Sequence, residues 1–125
     1  MTVDGAPLAG LTNWAGNHAY RAANLHEPES IEQVQEIVRS ARSLRALGTR
    51  HSFNDIADTT GDLLSLRRMP RIFDLDRGAG TIRVDGGVRY GELCGPLDAA
   101  GFALHSLASL PHISVAGACA TATHG

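Results

Sequence analysis

The segment from Glu27 to Leu47 constrains the fold more than any other stretch, because it carries start, face and stop signals for one helix and then runs into a strand. Ser30 and Gln33 form a capping-box pair, and Glu27, Glu29, Glu32 and Glu36 crowd the positive end of the helix dipole. Arg39, Arg42 and Arg45 gather at the other end. Ile31, Val34, Ile37, Val38 and Ala41 recur at helical spacing, so one stripe is apolar and requires a sheet or a second helix to cover it. Leu44 to Leu47 then reads as a short strand, ended by Gly48-Thr49-Arg50-His51-Ser52, which is too small and polar to continue it.

Downstream, Leu63 to Leu66 is a short apolar run, and Arg71 to Asp76 and Thr81 to Asp85 are alternating runs joined by Arg77-Gly78-Ala79-Gly80, a hairpin signal. Tyr90 to Ala100 predicts a second helix, with Leu93 and Leu97 on one face and Gly101 placed to end it. Helices flank a middle that is mostly sheet, without repeat or low-complexity linker, and the expected class is α+β.

Charge excludes one class of partner. With 11 basic against 13 acidic side chains and a net charge of −2, no excess of cations is present to neutralise a phosphate backbone. Nucleic acid is not an expected partner. No apolar run reaches bilayer-spanning length and the first residues lack a basic, then apolar leader pattern, so neither a membrane nor export is expected, and the expected location is cytoplasmic. The histidines at 18, 26, 51, 105, 112 and 124 form no metal-ligand spacing, and no metal is expected. Cys94 and Cys119 lie among apolar or small residues and read as small buried hydrophobes.

Two segments carry candidate chemistry: Gly48 to Asn54, and Ser109 to Ala118. Each offers clustered backbone N–H groups unobstructed by large side chains, with hydroxyls from Thr49, Ser52, Ser109 and Ser114, a surface suited to a pyrophosphate. Gly48 allows the main chain to approach a ligand closely. Spacing alone leaves tight turns as an equal reading, since neither segment is a dinucleotide-binding or Walker loop.

Asn13-Trp14-Ala15-Gly16-Asn17, Gly48 to Asn54, Ser109 to Gly117 and Ala120-Thr121-Ala122-Thr123-His124-Gly125 occur in that order. Together they resemble the vanillyl-alcohol-oxidase flavoproteins, and within them the alditol and xylitol oxidases, with sugar-1,4-lactone oxidases of the gulonolactone and arabinonolactone type as near relatives. The resemblance implies a PCMH-type FAD-binding domain over residues 1–125, matched from about residue 13: an N-terminal α/β subdomain and the start of the second. It implies FAD as cofactor, bonded through a ring nitrogen of His51 to the 8α-methyl carbon. Leu47, Gly48, Thr49, Arg50, Ser52, Ser109, Ser114, Gly117, Ala118 and Thr121 are the implied cofactor contacts, and Ser109 also faces the substrate. Asn13 to Asn17 reads instead as an incoming strand, with Trp14 its anchor.

The implied reaction is oxidation of a polyol CH–OH to an aldehyde, with O2 reduced to H2O2; a sugar lactone, or a flavin-binding remnant without catalysis, are the alternatives. The family's proton acceptor and its polyol-gripping groups come from a downstream substrate domain, so no catalytic residue is assigned within these 125 residues. The chain accordingly reads as a fragment or truncated product, and isolated it is expected to be inactive. Two positions depart from the family pattern. Arg50 stands where glycine is usual before the linking histidine, able to pair with pyrophosphate or to obstruct loading, and Ala122 replaces the glycine of the T-G-T-H-G stretch.

Overall fold

The computed structural model describes residues 6–125, so the first five residues of the assigned domain lie outside the described residues. Two compact units follow one another in the chain, Met1–Met69 and Pro70–Gly125.

The first unit contains β1 (Ala6–Pro7), β2 (Asn24–His26), α1 (Ile31–Ser40), β3 (Leu44–Ala46) and β4 (Asp62–Leu64). The sheet order is β1-β2-β4-β3, with β1 antiparallel to β2 and β4 parallel to both β2 and β3. Leu63 of β4 pairs with Leu25 on one side and Arg45 on the other, and it is fully buried. A central parallel strand covered on both faces is expected to be a continuous apolar run, and Leu63-Leu64 is one. Leu63 packs with Leu8, Tyr20, Ala22 and Leu47 in the core of this unit.

Helix α1 forms where the sequence placed it. Ser30 Oγ accepts from the Gln33 N–H at 3.2 Å, while Gln33 Oε1 accepts from the Glu29 N–H at 2.7 Å, one residue ahead of the cap. The reciprocal pair is therefore displaced by one position but satisfies two orphan donors all the same. The apolar stripe is covered only at its centre: Ile37 is 2 % exposed, whereas Ile31 and Val38 are 60 % and 55 % exposed.

Parallel strands cannot be joined by a tight turn, so both β2 to β3 and β3 to β4 need long connections. Helix α1 makes the first. Residues 47–61 make the second without regular helix or strand, which leaves a long irregular connection held by side chains. Arg45 Nη1 donates to the carbonyls of Ile56 and Asp58, each at 2.8 Å. The fully buried Asp58 carboxylate accepts from the Arg21 N–H and Nε and from the Thr59 N–H, and lies 3.0 Å from His18 Nε2.

The second unit contains the hairpin β5 (Phe73–Asp76) and β6 (Thr81–Val84), α2 (Tyr90–Ala99) and α3 (Val115–Ala120). The hairpin register pairs Asp76 with Thr81 across the expected Arg77–Gly80 turn, where Gly80 takes φ +63°. Helix α2 places Leu93 and Leu97 with Val88 against Leu75, Ile82 and Val84 of the hairpin. Gly101 takes φ +81° directly after its last turn, and the Phe102 N–H returns to the Leu97 carbonyl, as a glycine stop requires. Helix α3 has no counterpart in the sequence reading, which treated Ser114 to Ala118 as an open loop. Among the described residues no helix is long and apolar enough to cross a membrane.

Candidate functional site

The candidate site of the first unit is the start of the irregular connection after β3. Leu47 anchors it: its side chain is in the core and its N–H donates to the Leu64 carbonyl at 2.8 Å. Gly48 is exposed, and Thr49, Arg50, His51 and Ser52 are half-buried. Among the described residues, the N–H groups of Gly48, Thr49 and Ser52 have no protein acceptor. The loop thus offers donors for an anionic or polar ligand, the property the sequence assigned to it.

Arg50 takes φ +66°, the left-handed conformation inferred from the glycine it replaces. One guanidinium N–H donates from Nη1 to the Thr12 carbonyl at 2.6 Å, and the Arg50 carbonyl accepts from the Trp14 N–H at 2.7 Å. The long cation therefore ties its loop to the residues around Trp14.

Those residues are not an incoming strand. Among the described residues they contribute only the isolated antiparallel bridge Thr12↔Ala19, and between its two halves the chain turns. Gly16 takes φ +72°, its N–H donates to the Asn13 carbonyl, and Asn13 Oδ1 accepts from the His18 N–H at 3.1 Å. A glycine in a left-handed conformation flanked by side-chain amides is turn chemistry, and that signal was present in the sequence. Nor is Trp14 a buried anchor: it is 63 % exposed, and its ring lies over His51, centroids 5.5 Å apart and planes 23° from parallel. The imidazole Nδ1 is 2.9 Å from Thr49 Oγ1.

The second segment behaves differently. Ser114 is buried and caps α3, its hydroxyl accepting from the Gly117 N–H at 3.2 Å. The Ala118 N–H donates to the Ser114 carbonyl and the Val115 N–H to the Val88 carbonyl. These donors, expected to be free for a ligand, are spent inside the unit because Ser114 followed by small residues starts a helix. Thr121 is likewise committed: its hydroxyl donates to the Gly117 carbonyl at 3.0 Å at the end of α3. Ser109 is exposed in the loop before α3, beside the buried Ala108.

Ala122 takes φ +53°, with its own N–H on the Cys119 carbonyl and the Thr123 N–H on the Ala118 carbonyl. This is a Schellman ending with alanine in the position glycine normally fills. Arg50 and Ala122, the two departures noted in the sequence, are the non-glycine residues with positive φ among those described.

The cysteines differ from expectation: Cys94 is half-buried and Cys119 exposed. Burial raises the Tyr90 phenol above its ordinary value, with the nearby Cys119 and Cys94 adding to the shift. Burial also raises Tyr20, opposed by the positive charge of Arg50. The described residues contain no group of three His, Cys, Asp or Glu placed to hold a metal.

Comparison with known proteins adds a family. Residues 22–125 match the model of the FAD binding domain. The chain is 51 % identical over 118 residues to an alditol oxidase from a Streptomyces species, covering 92 % of this chain and 28 % of that protein. It is 36 % identical over 116 residues to a putative D-arabinono-1,4-lactone oxidase of Neurospora crassa, covering 90 % and 21 %. The fold matches a solvent-stable cholesterol oxidase at TM-score 0.72 and 20 % identity, over 91 % of this chain and 23 % of the solved one. The chain thus spans about a quarter of the length of the proteins it matches.

Proposed function

The chain belongs to the FAD-binding domain family, and from that premise we propose that it is the FAD-binding portion of an oxidase that converts a polyol CH–OH to an aldehyde, with O2 reduced to H2O2. The observation that carries this reading is the loop after β3, where His51 stands beside backbone donors that the protein leaves uncommitted. Those donors fit the polar parts of FAD. A bound flavin supplies the two-electron oxidation and its own reoxidation by O2, while the protein holds it in place.

In this proposal His51 forms a covalent bond to the flavin. A neutral imidazole is a competent nucleophile near neutral pH, and the half-buried ring is held between Thr49 and Trp14. Joining an imidazole nitrogen to the 8α carbon exchanges one N–H and one C–H bond for a C–N bond. The two protons and two electrons released pass to O2 as H2O2. Gly48, Thr49 and Ser52 hold the cofactor through backbone groups, and Leu47 anchors their loop in the core. Ser114, Gly117, Ala118 and Thr121 act by shaping α3, since the Ser114 and Thr121 hydroxyls and the Gly117 and Ala118 N–H groups are already used within the unit. Ser109 contacts substrate through its exposed hydroxyl.

The polyol is favoured over the lactone by the 51 % identity to an alditol oxidase against 36 % to a putative lactone oxidase. Acid precipitation of FAD-loaded protein tests the cofactor claim: yellow colour should stay with the polypeptide, and His51→Gln should release it to the supernatant. Colour released wholly from the unaltered chain sinks the covalent bond. Peroxide release on xylitol and sorbitol, compared with gulonolactone, by the full-length gene product tests the substrate.

A further inference from the structure

We propose that the turn from Asn13 to Asn17 is the positioning element for the His51 imidazole, with Trp14 as the surface against which the ring is held; this rests on the reading of His51 as the flavin-bonded residue. The three main-chain carbonyls that bracket His51 are each held by one residue of the turn. The Trp14 N–H takes the Arg50 carbonyl at 2.7 Å, Asn13 Nδ2 takes the Ser52 carbonyl at 2.9 Å, and Asn17 Nδ2 takes the Phe53 carbonyl at 3.0 Å. Asn13 Nδ2 is also 2.7 Å from Asn17 Oδ1, so the two amides act as one clamp. Asn13 is only 2 % exposed, and its polar atoms are used in holding this turn and this loop.

With the peptide ahead of His51 and the carbonyls of the two residues after it held, the loop that carries His51 is tied to the turn, and two side-chain torsions then set the imidazole. The near-parallel Trp14 ring and the Thr49 hydroxyl restrain those two. A largely exposed indole contributes little to the core of its unit, so its placement over the imidazole points to orientation of that ring. Orientation matters because bond formation between two held groups is steeply sensitive to small misplacement.

The same geometry supplies the measurement, since Trp14 is the one tryptophan in the sequence. An imidazole stacked on an indole perturbs its emission, so His51→Gln should change the Trp14 emission of the chain without FAD. The rate of covalent FAD incorporation in air is then followed by acid precipitation, with urea midpoints taken for each protein. Trp14→Ala should slow incorporation about tenfold or more at an unchanged urea midpoint, while Trp14→Phe, which keeps a flat ring, should stay within about threefold of the original rate. Asn17→Ala, an exposed position, should slow incorporation in the same direction. Incorporation by Trp14→Ala at the original rate overturns the proposal, as does a slowing matched by a fall in urea midpoint, or emission indifferent to His51→Gln. An unaltered chain that takes up no covalent FAD would instead refute the underlying assignment of His51, and the positioning role with it.

Discussion

Arg50 allows backbone strain and side-chain bonding to be separated by two substitutions at one position. In Arg50→Ala the left-handed φ of +66° remains, because alanine also carries a Cβ, and the bond to the Thr12 carbonyl is lost. A hydrogen bond from a charged donor contributes about 1.5–3 kcal/mol, but Arg50 is only half-buried, and water competes for both partners, so about 1 kcal/mol is the expected loss. In Arg50→Gly the same bond is lost, but relief of the left-handed conformation returns about 1–2 kcal/mol. The greater freedom of glycine in the unfolded chain takes back about 0.5–1 kcal/mol. The two variants should therefore differ by about 0.5–1 kcal/mol in favour of glycine, with Arg50→Gly close to the original and Arg50→Ala the weakest. The main-chain bond from the Trp14 N–H to the Arg50 carbonyl survives in both, so the comparison is not confounded by loss of the turn. Urea unfolding followed by Trp14 emission reads the difference directly. Equal midpoints for the two variants would refute the strained conformation, and an Arg50→Ala midpoint equal to the original would show that the Thr12 bond contributes nothing.

Three further outcomes are expected. Ala122→Gly should raise the stability of the second unit by about 0.5–1 kcal/mol, since it places glycine at the left-handed end of α3; a lower thermal midpoint would contradict that ending. Leu63→Ala, at the fully buried centre of the sheet, should cost about 2–5 kcal/mol by calorimetry or urea titration, and a loss below about 1 kcal/mol would contradict its burial. Burial pushes the Asp58 carboxyl up, but the hydrogen bonds from Arg21, Thr59 and His18 outweigh it and hold the group below the ordinary carboxylate range; Asp62 is held low by Asn24 and His26. A carboxylate with a folded value below its unfolded one stabilises above the ordinary range and loses that contribution as pH falls through the folded value. The urea midpoint of the chain should accordingly fall from about pH 4 downward, and Asp58→Asn should flatten that fall.

Sequence periodicity determined what is local. Helix α1, the β5–β6 hairpin, α2 and its glycine stop form within about two residues of where their caps, alternation and turn residues place them, because each signal and its partner lie a few positions apart. The resemblance pointed to the loop of His51 and flagged Arg50 and Ala122, and the backbone explains both: each occupies a left-handed position that glycine would fill without strain. Tertiary structure alone decided the surroundings of His51. The amides of Asn13 and Asn17 reach carbonyls 39 and 36 residues away, and no spacing rule links Trp14 to His51. It also decided that the N–H groups of Val115, Gly117 and Ala118 are spent within their unit, since the acceptor for Val115 is the carbonyl of Val88, on the far side of α2 in the chain. Caps and turns are settled by neighbours in sequence; which ring covers His51, and which donors stay free, are settled by the strand pairing that brings distant loops together.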